Sequence, residues 1–184
     1  MTEHMDPKDE LVTHLPAMRA FAMSLTRNSA TADDLVQDAV VKAWSNFDKF
    51  QPGTNLRAWL FTILRNTYYS LHRKRRREVE DPEGVMAEQL SEKPAHDGRL
   101  AMNDFREAFA ELNDEQREAL VLVGAEGFSY EEAAEMCGCA VGTIKSRTNR
   151  ARKRLAELMH LDDEQDLELT DAATVAVVTG AATV

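Results

Sequence analysis

The chain has 184 residues, which suffices for one or two small domains, and carries a formal net charge of −10. No apolar run is long enough for a membrane span, and no basic start followed by an apolar core indicates a signal peptide, so we expect a cytoplasmic protein with no membrane partner. The two cysteines, Cys137 and Cys139, are too close together for an easy disulfide and far in sequence from the histidines. We therefore expect packing thiols, with no metal and no cofactor.

Positive charge is concentrated in two stretches of this acidic chain. Residues 57–77 contain seven Lys or Arg and residues 142–156 contain six, and neither stretch contains an acid. Together they hold 13 of the 22 basic residues, so the rest of the chain has a formal charge of −23. Two basic patches on an acidic body indicate two contacts with one polyanion.

The first helix is predicted from apolar residues at helical spacing. Pro16 lies within this pattern and is expected to split it into a short turn and a longer helix. No segment of the chain shows sustained alternation of apolar and polar residues, so we predict an all-α fold. The buried face of the first helix is expected to carry Leu11, Leu15, Met18, Ala22 and Leu25.

A second helix is predicted to open at Thr31, which forms an acidic capping box with Asp34. Trp44 is expected on its buried face together with smaller apolar side chains. The composition of its outward face fits an ordinary solvated surface and a partner-binding surface equally well. That face carries Asp33, Asp34, Gln37, Asp38, Val41 and Lys42.

A loop with Pro52, Gly53 and Asn55 precedes a long third helix, which ends in five consecutive cations, Arg73 to Arg77. Five cations exceed what helix capping needs. Basic residues interleaved with tyrosines and an asparagine are typical of surfaces that hold a strand with accessible bases, whereas Trp59 is expected in the core. Periodicity places Leu56, Leu60, Ile63, Leu64, Thr67 and Leu71 inward, and Arg65, Asn66, Tyr69 and Ser70 outward.

Residues 78–100 carry seven acids, two bases and no convincing periodicity, which predicts a flexible acidic linker. The linker would join two helical domains, residues 8–77 and 101–158. Residues 159–184 are acidic and then small and apolar, so we expect a mostly disordered tail. The second domain is predicted to start with a helix that carries Phe105 and Phe109, and its next helix is predicted to be capped by Asn113 with Gln116.

The stretch from Gly127 to Leu158 has the pattern of a helix-turn-helix. Ser129 and Glu132 form a capping box for a short helix, and Gly138 ends it. The following helix is predicted to bury Val141, Ile144, Thr148, Ala151, Leu155 and Leu158. Its other side carries Lys145, Ser146, Arg147, Asn149, Arg150, Arg152, Lys153 and Arg154.

This cationic face favours DNA over plain solvent as its partner. A solvated helix normally mixes charges for pairing, whereas this face places like charges side by side, a cost that an anionic partner would offset. In such a unit the first residues of the second helix meet base edges and the later cations meet phosphates. No nucleophile–base pair, metal cluster or phosphate-binding glycine loop is present, so we do not expect an enzyme.

The order of these motifs resembles the two-domain sigma factors of bacterial RNA polymerase, and most closely the extracytoplasmic-function (ECF) group. DDLVQDAVVKAW is similar to region 2.2, NLRAWLFTILRNTYYSLHRKRRR to regions 2.3 and 2.4, LNDEQREALVL to region 4.1, and FSYEEAAEMCGCAVGTIKSRTNRARKRL to region 4.2. The resemblance covers about residues 8–158. Within the group, residues 15–77 resemble the EcfG type, the general-stress-response sigma factors of alphaproteobacteria.

The resemblance implies three binding surfaces. Asp34, Gln37 and Asp38 would dock on the clamp helices of the polymerase β′ subunit, and the second domain would meet the β flap. Two sets of residues would bind promoter DNA, with no covalent chemistry. The minus-10 set is Gln51, Asn55, Asn66, Ser70, Arg73 and Arg75, and the minus-35 set is Lys145, Ser146, Asn149, Arg150, Arg152 and Lys153.

The resemblance also implies control by a small anti-sigma protein of the NepR type, which a PhyR-like response regulator with a sigma-like domain would sequester. Two other interpretations remain. A helix-turn-helix regulator of the response-regulator type would need an upstream receiver domain, whose alternating strands residues 11–77 lack. A sigma-like decoy would have no need for DNA-facing cations, yet the chain has both sets.

Overall fold

Seven α-helices, a 3₁₀ turn and a π-helical turn make up the part of the chain that the structure, a computed structural model, describes: residues 7–79 and 97–160. No strand occurs within these ranges, which agrees with the all-α prediction. The N-terminal half contains α1 (Pro7–Thr26), α2 (Ser29–Ser45), the 3₁₀ turn Phe47–Lys49 and α3 (Leu56–Val79). The C-terminal half contains α4 (Asp97–Ala110), α5 (Asp114–Leu120), the π-helical turn Val121–Ala125, α6 (Tyr130–Cys137) and α7 (Val141–Leu158).

The predicted linker is shorter than the sequence indicated. α3 continues through residues 78–79 and α4 begins at Asp97, so six of the residues assigned to the linker are helical. The rest of the predicted linker, residues 80–96, and residues 161–184 of the predicted tail lie outside the described residues.

α1, α2 and α3 pack around large apolar side chains that are completely enclosed. The buried core of these three helices includes Met18 and Phe21 of α1, Leu35 of α2 and Leu60 of α3, each at most 1% exposed. The ring of Phe21 stacks on that of Phe61, with centroids 5.2 Å apart. Burial of these side chains fixes the rotation of α2 and α3, and so decides which of their residues face outward.

Two predictions about helix boundaries in this half are wrong. Pro16 lies inside α1 without splitting it. Proline has no amide hydrogen, so the Val12 carbonyl has no hydrogen-bond donor within the helix. Pro16 and Val12 are both exposed, so water can donate to that carbonyl instead. The N-cap of α2 is Asn28 and not Thr31: the Asn28 side chain accepts a hydrogen bond from the Thr31 amide. The helix therefore starts one turn earlier than predicted.

Two apolar residues predicted to be buried are exposed. Trp44 is 55% exposed because the Lys8 ammonium, 5.4 Å from the Trp44 ring, and the edge of Phe47 cover the ring only in part. Leu71 is 36% exposed because it lies in the exposed last turns of α3, residues 70–77. The other predicted inward residues of α3 are buried or half-buried.

The boundaries of the C-terminal helices agree closely with the sequence prediction, because local capping sets them. Both capping boxes form: Asn113 with Gln116 opens α5, and Ser129 with Glu132 opens α6. Gly138 ends α6 at φ 63°, a left-handed conformation that glycine adopts without steric cost. The buried stripe of α7 is the predicted one: Ile144, Thr148, Ala151 and Leu155.

A buried arginine in α5 holds the C-terminal half together. Arg117 is 1% exposed, and its guanidinium donates to the carbonyl of Leu112 at 2.5 Å and to that of Ala110 at 3.5 Å. It also donates to the Ser24 carbonyl of α1 at 3.5 Å. Burial lowers the pKa of Arg117 from its usual value. This one side chain therefore supplies donors to backbone carbonyls that end helices in both halves.

We expect Arg117→Ala to lower the free energy of unfolding by about 3 kcal/mol, because several buried carbonyls lose their donor and a cavity remains. Urea denaturation followed by helical circular dichroism measures the change. Arg106→Ala, on the exposed face of α4, is the matched control and should stay within about 0.5 kcal/mol of the parent chain. Equal stability of the two variants would contradict this role for Arg117.

Candidate nucleic-acid interface

The outward face of α2 combines acids with apolar side chains. Burial of Leu35, Ala39 and Ala43 turns Asp34, Gln37 and Asp38 outward, as the sequence predicted, and all three are exposed. Val41, 64% exposed, and Trp44 continue the same face toward the end of the helix. An exposed acidic face that continues into apolar side chains is typical of a protein-binding surface. The sequence analysis did not assign Trp44 to this outward face, because helical periodicity placed it in the core.

α3 presents three different faces to three different surroundings. Leu60 and Leu64 pack into the N-terminal core, and Asn66, Ser70 and Arg73 are exposed. The Arg73 guanidinium donates to the Ser70 hydroxyl at 3.2 Å, so these two side chains lie together. Arg75 is also exposed on the last turns. The third face, which carries Arg57, Phe61, Arg65 and Tyr69, packs on the C-terminal half.

A groove of about 340 Å³ lies between the end of α2 and the exposed face of α3. Its apolar lining includes Trp59 and Ile63. The Lys42 ammonium donates to the Thr67 hydroxyl at 3.2 Å, and the Lys49 ammonium donates to the Asn46 side-chain oxygen at 2.6 Å. The full lining is Lys42, Asn46, Lys49, Trp59, Ile63, Asn66, Thr67 and Ser70.

The composition of this groove suits a nucleobase with its phosphate. An aromatic and aliphatic lining accepts a base face, amides and hydroxyls can bond base edges, and ammonium groups can meet phosphate oxygens. Sequence reasoning placed Asn66 and Ser70 on this face of α3, but it did not assign Lys42, Asn46 and Lys49 to the groove. These three come from α2 and the turn after it, and only the packing of α2 on α3 brings them to the groove.

Asn55, from the predicted minus-10 set, already has two partners. Its side-chain oxygen accepts from the Ala58 amide at 3.1 Å and so caps α3, while its amide donates to Glu132 of α6 at 2.9 Å. Gln51, in the same loop, is exposed. Because Glu132 belongs to the other half, one N–H of the Asn55 amide is engaged across the contact between the halves.

The second basic surface is the outer side of α7. Lys145, Asn149, Arg150 and Lys153 are exposed, whereas Ser146 and Arg152 are half-buried and Arg152 makes contacts within the chain. The Arg147 guanidinium turns away from this surface: it forms an ion pair with Glu115 at 2.8 Å and lies 4.0 Å from the Cys139 sulfur. Arg147 therefore ties α7 to α5, and the exposed residues remain as the candidate DNA-binding surface.

Glu118 of α5 is a buried carboxylate that binds side chains of α3. It is 0% exposed, lies 2.6 Å from the Arg65 guanidinium, and accepts from the Tyr69 hydroxyl at 3.2 Å. Burial raises the pKa of Glu118, and Arg65 opposes that rise. Arg65 also lies over the Tyr69 ring, 4.6 Å from its centroid. The prediction that Arg65 and Tyr69 face outward is therefore wrong, since the C-terminal half covers them.

A second contact of the same kind involves Glu126, which is 9% exposed. Its carboxylate forms an ion pair with Arg57, whose guanidinium also donates to the Glu126 carbonyl at 2.7 Å. The Arg57 guanidinium lies 4.6 Å from the Phe128 ring centroid and 5.2 Å from that of Phe61. Burial raises the pKa of Glu126. Two buried carboxylates of the C-terminal half thus each hold an arginine of α3.

Both cysteines are free thiols. Burial raises the pKa of the Cys137 thiol to about 12, and the neighbouring Glu118 carboxylate adds to the rise. Within the described ranges, no three His, Cys, Asp or Glu side chains gather as a candidate metal site. The Cys137 thiol thus belongs to the contact between the halves.

Comparison with known families identifies this architecture. A model for Sigma-70 region 2 matches residues 11–78, and a model for Sigma-70 region 4 matches residues 102–155. The chain belongs to the sigma-70 family. It is a sigma factor, the class of protein that directs RNA polymerase to promoters, and the resemblance found in the sequence is confirmed.

Individual relatives place the chain within that family. It is 53% identical to the ECF RNA polymerase sigma factor EcfG of Rhodopseudomonas palustris (strain TIE-1), over 94% of each chain. It is similar to the sigma factor RpoE of Bartonella quintana, crystallised with the anti-sigma factor NepR: the TM-score is 0.75 at 56% identity, covering 85% of this chain and 98% of that one. PhyRSL of Sphingomonas sp. Fr1, also solved with NepR, shares the fold at 21% identity, with a TM-score of 0.63 and coverage of 86% and 93%.

The two family matches each cover one of the candidate binding surfaces. The region 2 match contains the acidic face of α2 and the groove beside α3, and the region 4 match contains α7 up to Leu155. Within residues 7–79 and 97–160, no helix is both long and apolar enough to cross a membrane.

We expect Cys137 to react slowly with iodoacetamide in the folded chain at pH 8. A thiol whose pKa is near 12 is almost entirely protonated there, so alkylation should be at least about 100-fold slower than in urea. Cys139→Ser leaves Cys137 as the single thiol, and mass spectrometry follows its modification. A folded-state rate close to that in urea would contradict the raised pKa of Cys137.

Proposed function

We propose that this chain is an alternative sigma factor of the general-stress type, which joins core RNA polymerase and selects promoters through two DNA surfaces. The observation that supports this best is the pair of separate reading surfaces, the groove beside α3 and the outer side of α7, together with a distinct acidic face on α2. A helix-turn-helix regulator would need only the α7 surface. The chain would act in the cytoplasm, where the polymerase is, and would catalyse no reaction itself.

The α2 face is assigned to the polymerase. Asp34, Gln37 and Asp38 supply exposed acids and an amide for the clamp helices of the β′ subunit, and Val41 and Trp44 add apolar area beside them. Charged residues at such an interface set specificity and the association rate, while buried aromatic side chains contribute most of the affinity. Trp44 is accordingly expected to be the strongest single contact. The C-terminal half is assigned to the β flap.

The groove beside α3 is assigned to the single-stranded minus-10 element. Asn66 and Ser70 can bond base edges, with Gln51 and Asn55 from the preceding loop, while Arg73 and Arg75 can meet phosphates. A base taken out of its stack would lie against Trp59, between Lys42 and Lys49.

The outer side of α7 is assigned to the duplex minus-35 element. Lys145, Ser146, Asn149 and Arg150 lie in the first turns, where side chains can reach base edges in the major groove. Arg152 and Lys153 lie further along and are assigned to the DNA backbone. The Arg147–Glu115 ion pair and the capping box at Ser129 fix the angle of α7 against its own domain.

The partner that restrains this sigma factor is proposed to be a small NepR-like anti-sigma protein. This rests on the 56% identity to the sigma factor RpoE, whose structure contains NepR. A PhyR-like response regulator with a sigma-like domain would release the sigma factor by sequestering that anti-sigma protein, in line with the fold shared with PhyRSL.

We expect run-off transcription by purified core polymerase on a cognate promoter to require this chain, and Asp38→Arg to raise the concentration of chain needed for half-maximal product about 10-fold. A buried interfacial charge reversal of this kind costs about 1.4 kcal/mol or more. Asp104→Arg, exposed on α4, is the matched control. Product without the chain would refute the proposed function, and equal behaviour of the two variants would refute the α2 assignment.

Arg150→Ala and Lys153→Ala should impair the minus-35 contact in different ways. Loss of a base contact at Arg150 should cost about 1 to 3 kcal/mol on the preferred minus-35 sequence and little on a scrambled one. Loss of a phosphate contact at Lys153 should weaken both templates equally and flatten the salt dependence by about one unit of slope. Open-complex formation by holoenzyme across a salt series measures both effects. Equal weakening of both templates by Arg150→Ala would contradict the placement of α7 in the groove.

A further inference from the structure

A second groove, of about 410 Å³, lies between the last turns of α7 and the connection from α4 to α5. Its lining contains three cations of α7, Arg150, Lys153 and Arg154. The Arg154 guanidinium lies 3.7 Å from the Glu157 carboxylate, whereas no carboxylate in residues 7–79 and 97–160 forms an ion pair with Arg150 or Lys153. These two side chains are therefore available to an anionic ligand.

The remaining lining of the groove favours carboxylates that are spaced along a peptide. Asn113 and Gln116 use their side-chain oxygens in the capping box of α5, so what they offer a ligand is mainly their NH₂ donors. The acids Glu111 and Glu157 also line the groove and bring the formal charge of its lining to +1. They would repel a compact polyanion at close range, while single carboxylates can each meet a cation or an amide.

The chain itself carries an acidic segment that starts next to this groove. Residues 162–171 contain six acids, and no Lys or Arg follows Arg154. We call residues 162–171 the acidic tail segment, and it lies outside the described residues. α7 ends at Leu158, and His160 has a φ of 56°, a left-handed conformation that turns the chain away from the helix axis. Because Glu157 lines the groove, the acidic tail segment begins beside it.

Distances along the chain allow this segment to reach the cations. His160 lies about 10 Å along the helix from Lys153 and about 15 Å from Arg150. Eleven extended residues span up to about 36 Å, so residues 161–171 are long enough to run back past both. The predicted acidic linker is less well placed, because it enters α4 at Asp97 and the groove lies beyond the other end of α4, about 20 Å away.

We propose that the acidic tail segment docks in this groove and pairs with Arg150 and Lys153, so that it competes with DNA for the outer side of α7. Acids that follow the C-terminus of a helix are unfavourable, and the last turn of α7 has no basic residue, so contact with these cations offsets that cost. Each exposed pair contributes little. The segment is tethered, however, and meets the groove at an effective concentration on the order of millimolar. The consequence for promoters rests on the proposed function, whereas the docking is a property of the chain alone.

A zero-length crosslinker tests the docking without DNA. Carbodiimide activates a carboxylate, and a lysine amine in contact with it then forms an amide while the carbodiimide leaves as a urea. In the full chain we expect Lys153 to give the main crosslink to the acidic tail segment and the exposed Lys145, two turns earlier, to give little. Fragment-ion mass spectrometry locates the crosslinked residues.

Variants of the groove separate docking from mere proximity of the tail. Arg150→Ala with Arg154→Ala removes the other two groove cations and should lower the Lys153 crosslink yield about 3-fold, as expected for two exposed charge pairs. Arg76→Ala with Arg106→Ala, both exposed and outside the groove, is the matched control. Equal yields in these two variants would mean that the tail is only tethered near Lys153, and would overturn the docking.

Competition with DNA is measured by fluorescence anisotropy of a mixed-sequence duplex with full-length chains. We expect the tail variant to bind about 10-fold more tightly than the linker control, as for a segment that occupies the groove in about nine molecules of ten. The difference should shrink as salt screens the tail contacts. The tail variant is Asp162→Asn, Asp163→Asn, Glu164→Gln, Asp166→Asn and Glu168→Gln, and the linker control is Glu80→Gln, Asp81→Asn, Glu83→Gln, Glu88→Gln and Glu92→Gln.

The outcomes distinguish the docking from the proposed function. Equal affinities of the tail variant and the linker control would overturn the competition, even where the crosslink shows that the segment docks. If circular dichroism shows loss of helix in the tail variant, Asp162→Asn with Asp163→Asn decides by the same criterion against Glu80→Gln with Asp81→Asn. Absence of run-off product for the parent chain would refute the proposed function, while the crosslink yields would still decide whether the segment docks.

Discussion

The burial of two adjacent charges on α5 is the constraint on which the rest of the arrangement depends. Arg117 and Glu118 are both almost completely enclosed, yet they serve different structures. Arg117 donates to carbonyls at the ends of helices in its own half and to one carbonyl of α1, whereas Glu118 binds Arg65 and Tyr69 of α3. A buried charge without partners costs several kcal/mol, so both side chains require the neighbours that the fold brings to them. α5 is thereby fixed against both halves.

This constraint explains why α3 can serve three purposes. One face completes the N-terminal core, a second forms the groove with Lys42 of α2 and with Asn46, which follows α2, and the third carries the arginines that the C-terminal half binds. The cations of the third face are used inside the chain, which leaves the exposed cations at the end of α3 and on α7 as the candidate DNA surfaces. Net negative charge over the rest of the chain is consistent with this division, since 13 of the 22 basic residues lie on these two helices.

The sequence predicted best those features that depend on a few neighbouring residues. The capping boxes at Asn113 and Ser129 and the end of α6 at Gly138 are local, and each was found from side-chain chemistry alone. The exposed faces of α2 and α7 followed from periodicity. Features that depend on distant packing were missed. Arg65 and Tyr69 become buried only when α5 packs on α3, and Lys49 and Asn46 reach the groove only because α2 ends beside α3. Trp44 stays exposed at the end of α2, where Lys8 and Phe47 cover its ring only in part.

The contacts that order the candidate binding surfaces differ from most of the contacts that join the two halves. Glu132 caps α6 through Ser129 and also holds the Asn55 amide, so opening the halves removes one of its contacts but leaves the helix-turn-helix intact. In the same way, Arg147 stays paired with Glu115 inside the C-terminal half whether or not that half touches α3. The contacts that shape each reading surface are therefore largely separate from those that join the halves.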